Sequence, residues 1–428
     1  MTGANDIVIT GIGCVTPIGI GREAFWRSLQ MGTCGVRRIH TLSTASQATF
    51  YGATINDFDG KQYVKPRKTL KVMSREGQLA YSSAVLAWKD AGLPTDDDAC
   101  PSALTPERVG VIYGSEIIPG DHADLEAAVR ACSTGDQMNI SAWGQEFSKH
   151  IFPLWMLRNL PNMPACHIGI AIDARGPNNT IVQEEISSLL ALTEAMHVIE
   201  RQQADLMLVG GVGQRVSPTR MIYRAPGLYD QHALDTRGER CIPFDKRRSG
   251  IVSAEGAGTL VIERRSHAAQ RGAKIYGVVK SGTSRYGRPT RYYGGSATAM
   301  TAVGQAAMVQ AGVAAADLAH VSAQGYSEQH LDIAEATAIE AVAPQVPVTA
   351  FSSYFGTAGA ACGVLELAAS VLATQHGIVL PTLGYQQPDS DCPLAVCRES
   401  RETTQRHILK LSFTPFGQAA AVVIQCTT

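Results

Sequence analysis

Two adjacent carboxylates, Glu184 and Glu185, stand at the head of an apolar helix pattern in the stretch Gly176 to Leu190, GPNNTIVQEEISSLL. A turn (Gly176, Pro177, Asn178) leads into a short β-branched run, Thr180 to Val182. Ile186, Leu189, Leu190, Leu192, Ala195 and Met196 then recur at helical spacing. The segment reads as strand, sharp turn and buried helix. The first residues of such a helix sit over unpaired N–H groups at the positive end of the helix dipole. Enzymes place nucleophiles there because those donors stabilise developing negative charge. This chain offers carboxylates instead. One reading is structural: a carboxylate accepts backbone N–H bonds and offsets the dipole, stabilising by roughly 0.3–1 kcal/mol. In that reading Glu184 does the capping and Glu185 turns toward a tunnel or a subunit seam. The other reading makes Glu185 a general base.

Other reactive side chains are poorly supported by their surroundings. Ser187 and Ser188 lie just inside the same helix, but a serine nucleophile needs an adjacent base. Cys362 sits in a small-residue stretch and reads as core packing. His167, His197, His330 and His376 are single histidines without metal spacing, and ten cysteines are scattered with no C-x-x-C pair. We therefore expect reduced thiols, no metal centre and no cofactor. The glycine-rich turn GIGCVTPIGIG after Ile7 to Thr10 does not have the G-x-G-x-x-G spacing of a dinucleotide site.

The elements that must position the elbow alternate between short buried β runs and helices. Ile7–Thr10, Val109–Ser115, Ala204–Gly211 and Ile275–Lys280 read as strands covered on both faces. Helices are expected at Glu23–Leu29, Ser74–Ala91, Leu125–Met138, Trp143–Leu157 and Thr301–Gly312. The chain of 428 residues, 45% hydrophobic and 18% charged, suits two fused α/β halves with a large core. A net charge of −1 gives no pull toward nucleic acid or anionic membrane. No run is apolar enough for a membrane span, and no signal peptide is visible, so a cytoplasmic protein is expected. Lys65–Lys71, KPRKTLK, is the strongest local positive charge. It reads either as a solvated helix entrance or as a dock for an acidic partner.

The elbow resembles that of the β-ketoacyl synthases (ketosynthases) of the thiolase superfamily, which read GPN, four residues, then Thr-Ala-Cys. On that pattern Glu185 takes the place of the acyl-accepting cysteine. Cys241–Gly258, CIPFDKRRSGIVSAEGAG, resembles the family's PFD-x-x-R-x-G-x-x-x-x-EGAG motif, with a possible Asp/Arg pair. The resemblance implies the thiolase fold: two similar α/β halves, residues 1–265 and 266–428, stacked as helix–sheet–helix–sheet–helix. We find no clear sequence repeat between the halves.

The same resemblance marks what is altered. Val321–Glu335, VSAQGYSEQHLDIAE, resembles the first histidine segment, but its histidine position holds Gln324. Ala350–Gly363, AFSSYFGTAGAACG, resembles the second, with Thr357 at the histidine position and Ser352 at the lysine position. Gln324 and Thr357 can hydrogen-bond but cannot act as imidazole acid or base near neutral pH. Leu411–Ala419, LSFTPFGQA, sits where the family has a flexible glycine-rich gate. This pattern resembles the chain-length factor, the ketosynthase β subunit of type II polyketide synthases, which usually shows Gln at the cysteine position; Glu is a departure. It implies a partner, an active ketosynthase in a heterodimer or a second copy in a homodimer, and an acyl carrier protein docking at Lys65, Arg67, Lys68 and Lys71. It implies an acyl path at Glu185, Phe413, Phe416, Trp155 and Met156, although aromatic and Met stripes are equally core. The alternative is rewired acyl-thioester chemistry, a decarboxylase or hydrolase centred on Glu185.

Overall fold

The computed structural model describes residues 3–39, 50–94, 104–118, 120, 122–217, 220 and 241–427. Ten strands carry the architecture: β1 (Ile7–Thr16), β2 (Val109–Gly114), β3 (Asn178–Ile181), β4 (Leu206–Gln214), β5 (Ser253–Arg264), β6 (Gly277–Tyr286), β7 (Leu318–Ala323), β8 (Val348–Ala350), β9 (His407–Phe413) and β10 (Gln418–Cys426). They form one path in the order β8-β7-β9-β10-β6-β1-β5-β4-β2-β3.

The path divides at its centre into two equivalent runs. Outward from β1, the pairs with β5, β4, β2 and β3 are antiparallel, antiparallel, parallel and parallel. Outward from β6, the pairs with β10, β9, β7 and β8 follow the same sequence. A short antiparallel seam, Val8 opposite Val278 and Ile9 opposite Gly277, joins the two. Parallel pairs need crossover helices, and these cover both faces.

Five helices fill the layers: α1 (Arg75–Asp90), α2 (Ser187–Glu200), α3 (Ala297–Ala311), α4 (Gln329–Val342) and α5 (Cys362–Gln375). Three apolar cores separate them. One holds α1 with the first run of strands, one holds α3 and α4 with the second, and the middle one holds α2 and α5 between both sheets. Period-2 alternation sorts the side chains. On β4, Met207 and Val209 face the middle core while Leu206 and Leu208 face outward; on β10, Val422 and Ile424 face the middle and Ala421 and Val423 face away. The result is helix–sheet–helix–sheet–helix. Helix α5 is buried from Cys362 to Thr374, so it carries almost no polar face.

Local chemistry sets the ends. Ser74 and Ser296 cap α1 and α3 by accepting the N–H of Gly77 and Ala299, and Gly312 closes α3 in the left-handed region at φ 65°. Two expected helices are shorter than the sequence suggests. Leu125–Met138 splits into a helix, His122–Cys132, and a small strand pair, Ser133–Thr134 with Gln137–Met138. Trp143–Leu157 becomes Ile140–His150 and Trp155–Asn159, broken before Pro153, which cannot donate to the helix ladder. No helix among the described residues is long and apolar enough to cross a membrane.

Candidate functional site

The elbow forms where the sequence places it. Strand β3 ends at Ile181, a single 3-10 turn runs Glu184–Ile186, and α2 follows. Glu184 adopts φ 52°, a left-handed conformation that strains a non-glycine residue. The turn is tight because β2 passes beneath it: a Cβ on Gly114 would lie 2.7 Å from the Ser188 nitrogen. Ser187 does the local bracing. Its Oγ accepts from Gln183 N at 2.8 Å and donates to the Glu184 carbonyl at 2.7 Å. Ser188 Oγ accepts from Val364 N at 3.1 Å, tying α2 to α5.

Neither carboxylate caps the helix, contrary to the structural reading of the sequence. Both turn instead to a guanidinium. Arg215, immediately after β4, donates through Nη1 to Glu185 and through Nη2 to Glu184 at 2.9 Å and Glu116 at 2.6 Å. Its Nε also reaches Glu116, at 3.0 Å. Arg215 and Glu185 are buried, and Glu184 is the partly exposed member. The chain of charge continues: Arg220 Nη1 lies 4.0 Å from Glu116, and its Nη2 pairs with Glu76 in the first turn of α1. Burial lowers the Arg220 guanidinium to about 10. A full cation outcompetes helix N–H dipoles for a buried carboxylate, which is why the capping expectation fails.

On the opposite side, a loop after β7 carries Gln324, and α4 holds it. Glu335 accepts from the N–H of Gln324 at 2.7 Å and of Gly325 at 2.8 Å. Asp332 accepts from Tyr326 N at 2.8 Å and Phe244 N at 2.9 Å. Burial pushes Asp332 up to about 8 and Glu335 up to about 7, against those N–H bonds and nearby cations. The Gln324 amide faces the Cys362 thiol, which burial holds well above its usual range. Ser352 Oγ donates to the Gly325 carbonyl at 2.5 Å. Thr357 sits beside β5, its carbonyl accepting from Ala254 N at 3.1 Å. Gln324, Ser352 and Thr357 are all fully buried.

A lysine does lie in this region, on a different element. Lys410, on β9, is wholly buried, pairs with Glu366 of α5 and donates to the Ser322 carbonyl at 3.3 Å. Burial raises Glu366 to about 7 against the pull of Lys410. The aromatic Tyr326 closes the space above the elbow. Its hydroxyl donates to the Phe413 carbonyl at 2.7 Å, its ring meets Phe413 edge-on at 5.1 Å, and the charge of Glu185 lies close enough to hold the phenol up further after burial has raised it.

The expected site residues therefore separate into groups. Glu185, Gln324 and Phe413 lie around the elbow, Ser352 braces the Gln324 loop through the Gly325 carbonyl, and Thr357 flanks the site beside β5. Phe416 is 44% exposed and meets Tyr293 edge-on at 5.2 Å. Trp155 packs against Phe147, while Met156 is 52% exposed on the surface. Lys65, Arg67, Lys68 and Lys71 are exposed, and the Lys71 carbonyl accepts from Arg158. The Asp/Arg pair is Asp245 with Arg247 at 2.8 Å; Arg248 goes to Asp389 at 2.6 Å and Asp332 at 3.5 Å. Burial would raise Asp245, but Arg247 and three backbone N–H groups outweigh it and hold the carboxyl at about 2. Sequence reasoning missed Arg215, Glu116, Arg220, Glu76, Tyr326, Lys410 and Glu366. Lys410 had a signal, a lone charge within the apolar strand HILKLSF; the arginines had none beyond following a buried run.

With this geometry in place, comparison with known proteins decides the family. The model of the β-ketoacyl synthase N-terminal domain matches residues 4–268 and that of the C-terminal domain matches 276–386. The chain belongs to the β-ketoacyl synthase family. A 3-oxoacyl-[acyl-carrier-protein] synthase 2 of Coxiella burnetii is 30% identical over 432 residues, covering 98% of each chain. Two solved structures share the fold at 24% identity and cover 99% of this chain and 100% of their own. One is the ishigamide ketosynthase/chain length factor, at TM-score 0.84; the other is a type II PKS acyl-carrier protein in complex with its ketosynthase bound to the hexaketide, at TM-score 0.82. Against ketosynthases, the convergence of a carboxylate, an amide and a hydroxyl on the elbow is the feature to explain.

Proposed function

We propose that this ketosynthase relative performs no condensation itself and acts as the chain-length-determining subunit of a type II polyketide or fatty-acid-like synthase, paired with an active ketosynthase. The observation that carries this reading is the buried ion pair of Glu185 with Arg215 at the elbow, with a carboxylate and not a thiol at position 185 and no imidazole at positions 324 and 357. Glu185 cannot hold an acyl group as a stable thioester, and its carboxylate is already engaged by the Arg215 guanidinium. In this reading residues 1–265 and 266–428 are the two halves. The acyl carrier's acidic body meets Lys65, Arg67, Lys68 and Lys71. Phe416, Trp155 and Met156 belong to surfaces covered by the partner or the acyl path, and Phe413 with Tyr326 forms a wall near the elbow. The likeness to a ketosynthase/chain length factor structure supports the assignment through fold alone.

Co-expression with an intact Cys-His-His ketosynthase tests it. A stable one-to-one complex whose products change length when wall residues are altered is expected. A saturated homodimer indifferent to such a partner overturns the reading. So does turnover of malonyl- or acyl-carrier substrates by the isolated chain that is abolished by Glu185→Gln; that outcome establishes the rewired chemistry instead.

A further inference from the structure

The two halves treat one surface groove differently. In the first half, α1 closes at Gly92, φ 67°, and its neighbour, the helix Met163–Ala171, lies between β2 and β3. In the second half, α3 closes at Gly312, φ 65°, and its neighbour α4 lies between β7 and β8. Seven positions before the closing glycine stand Val85 in α1 and Gln305 in α3, and the neighbours end on Ala171 and Val342. The first groove is filled from within the chain. Val64, Met73 and Tyr81 form a buried cluster there, with Leu70, Val85 and Ala171 packed against it. Val64 and Leu70 belong to the long connection Pro17–Ser74 between β1 and α1, and the Tyr81 hydroxyl pins it by donating to the Lys65 carbonyl at 3.0 Å.

Among the described residues the second groove has no such cover, because the connection from β6 to α3 is only Gly287–Ser296. An open groove of about 340 Å³ remains between α3 and α4, lined by Gln305, Met308, Val309, Val313, Ala314 and Val342. Val309 stands on its rim, 82% exposed. From Ala297 to Ala316 no side chain is charged, in a chain that is 18% charged. An exposed apolar patch of this kind marks an interaction site. In a two-fold pairing a patch meets itself, so any charge on it comes to lie near its own copy and repels. A patch without charge is therefore suited to a second copy of the same chain. The net charge of −1 adds no long-range repulsion between copies. A knob beside a hole on one surface is also self-complementary.

We propose that this groove is a self-association face, on which two copies of the chain pack α3 and α4 about a two-fold axis. Val309 of each copy enters the groove of the other, as Val64 and Leu70 fill the first groove from within. The inference goes beyond the chain-length reading and does not depend on it. Together the two give an assembly of two ketosynthase pairs joined back to back through the outer helices of this chain.

The test is the mass of the particle in solution, measured by light scattering over about a hundredfold range of concentration. It is made on the chain alone and on the chain co-purified with an intact ketosynthase. An interface of two helices is at the small end of specific ones, so the association should reverse on dilution. Val309→Asp brings a carboxylate into the apolar groove and should weaken the association by about tenfold or more. At the upper concentrations the wild-type particle should therefore have twice the mass of the Val309→Asp particle, with melting temperature and ketosynthase pairing unchanged. Val309→Leu should keep the wild-type behaviour. Equal masses for wild type and Val309→Asp at every concentration overturn the inference. Loss of ketosynthase pairing in Val309→Asp makes the groove the ketosynthase's seat and also overturns it. Self-association abolished by Val309→Asp, in a chain that pairs with no ketosynthase, supports the inference and overturns the chain-length reading alone.

Discussion

The guanidinium of Arg215 donates at once to Glu185, in the elbow, and to Glu116, just beyond the end of β2. One side chain from the end of β4 thus ties two carboxylates from separate crossovers into the middle of the molecule. It also sets a buried cation directly against the elbow carboxylate.

Removing Arg215 should be costly. Arg215→Met leaves Glu185 and Glu116 without their main cation, and breaking one partner of a buried ion pair costs about 3–5 kcal/mol. Urea denaturation should show that loss. The double variant Arg215→Met with Glu185→Leu should recover only part of it, because Glu185 is then no longer stranded but the buried Glu116 still lacks Arg215. A loss under 1 kcal/mol for Arg215→Met contradicts the network.

Restoring the thiol alone should not restore condensation. Glu185→Cys supplies a nucleophile, yet Gln324 and Thr357 cannot drive decarboxylation of a malonyl group. Elongation assays with acyl and malonyl carriers should remain at background for Glu185→Cys. Measurable product from that single variant shows that the remaining groups suffice for the chemistry and removes the proposed silence.

Tyr326 should behave as a plug. Tyr326→Phe loses the hydroxyl bond to the Phe413 carbonyl and should cost about 1 kcal/mol. Tyr326→Ala opens a cavity against Phe413 and should cost about 3–5 kcal/mol. Thermal denaturation ranks the two, and equal melting temperatures contradict the packing described.

The buried carboxyls set a pH dependence above neutrality. Unfolded carboxyls titrate near pH 4 and have lost their protons by about pH 6. In the folded chain Glu335 keeps its proton to about 7 and Asp332 to about 8. Between pH 6.5 and 8 the folded state therefore binds more protons, and stability falls as pH rises. The buried His320, held down at about 3, acts in the opposite sense but only below about pH 6.5, where an unfolded histidine titrates. The measured stability should decline from pH 6.5 to 8, and Glu335→Gln should flatten the slope. A rise over that interval contradicts the assignment.

How much was legible follows from the range of each interaction. Apolar runs, helix spacing and turn residues act over a few positions, so the strands and the elbow at Glu184–Ile186 could be read along the chain. Pro153 was legible too, yet the apolar run around it masked the break it makes. The matched order of the two five-strand runs was not visible, because strand order depends on backbone pairing between distant segments and different side chains fill it equally well. Glu185 itself marks the division. The sequence put a carboxylate at the mouth of a buried helix; folding alone decided that it would face Arg215 and not the helix N–H groups. Likewise the sequence showed a lone charge, Lys410, in an apolar strand, while the fold brought it from β9 to Glu366. Charge pairing in a low-dielectric interior is settled by which groups the packed backbone brings within a few ångströms, and that proximity is a property of the tertiary structure.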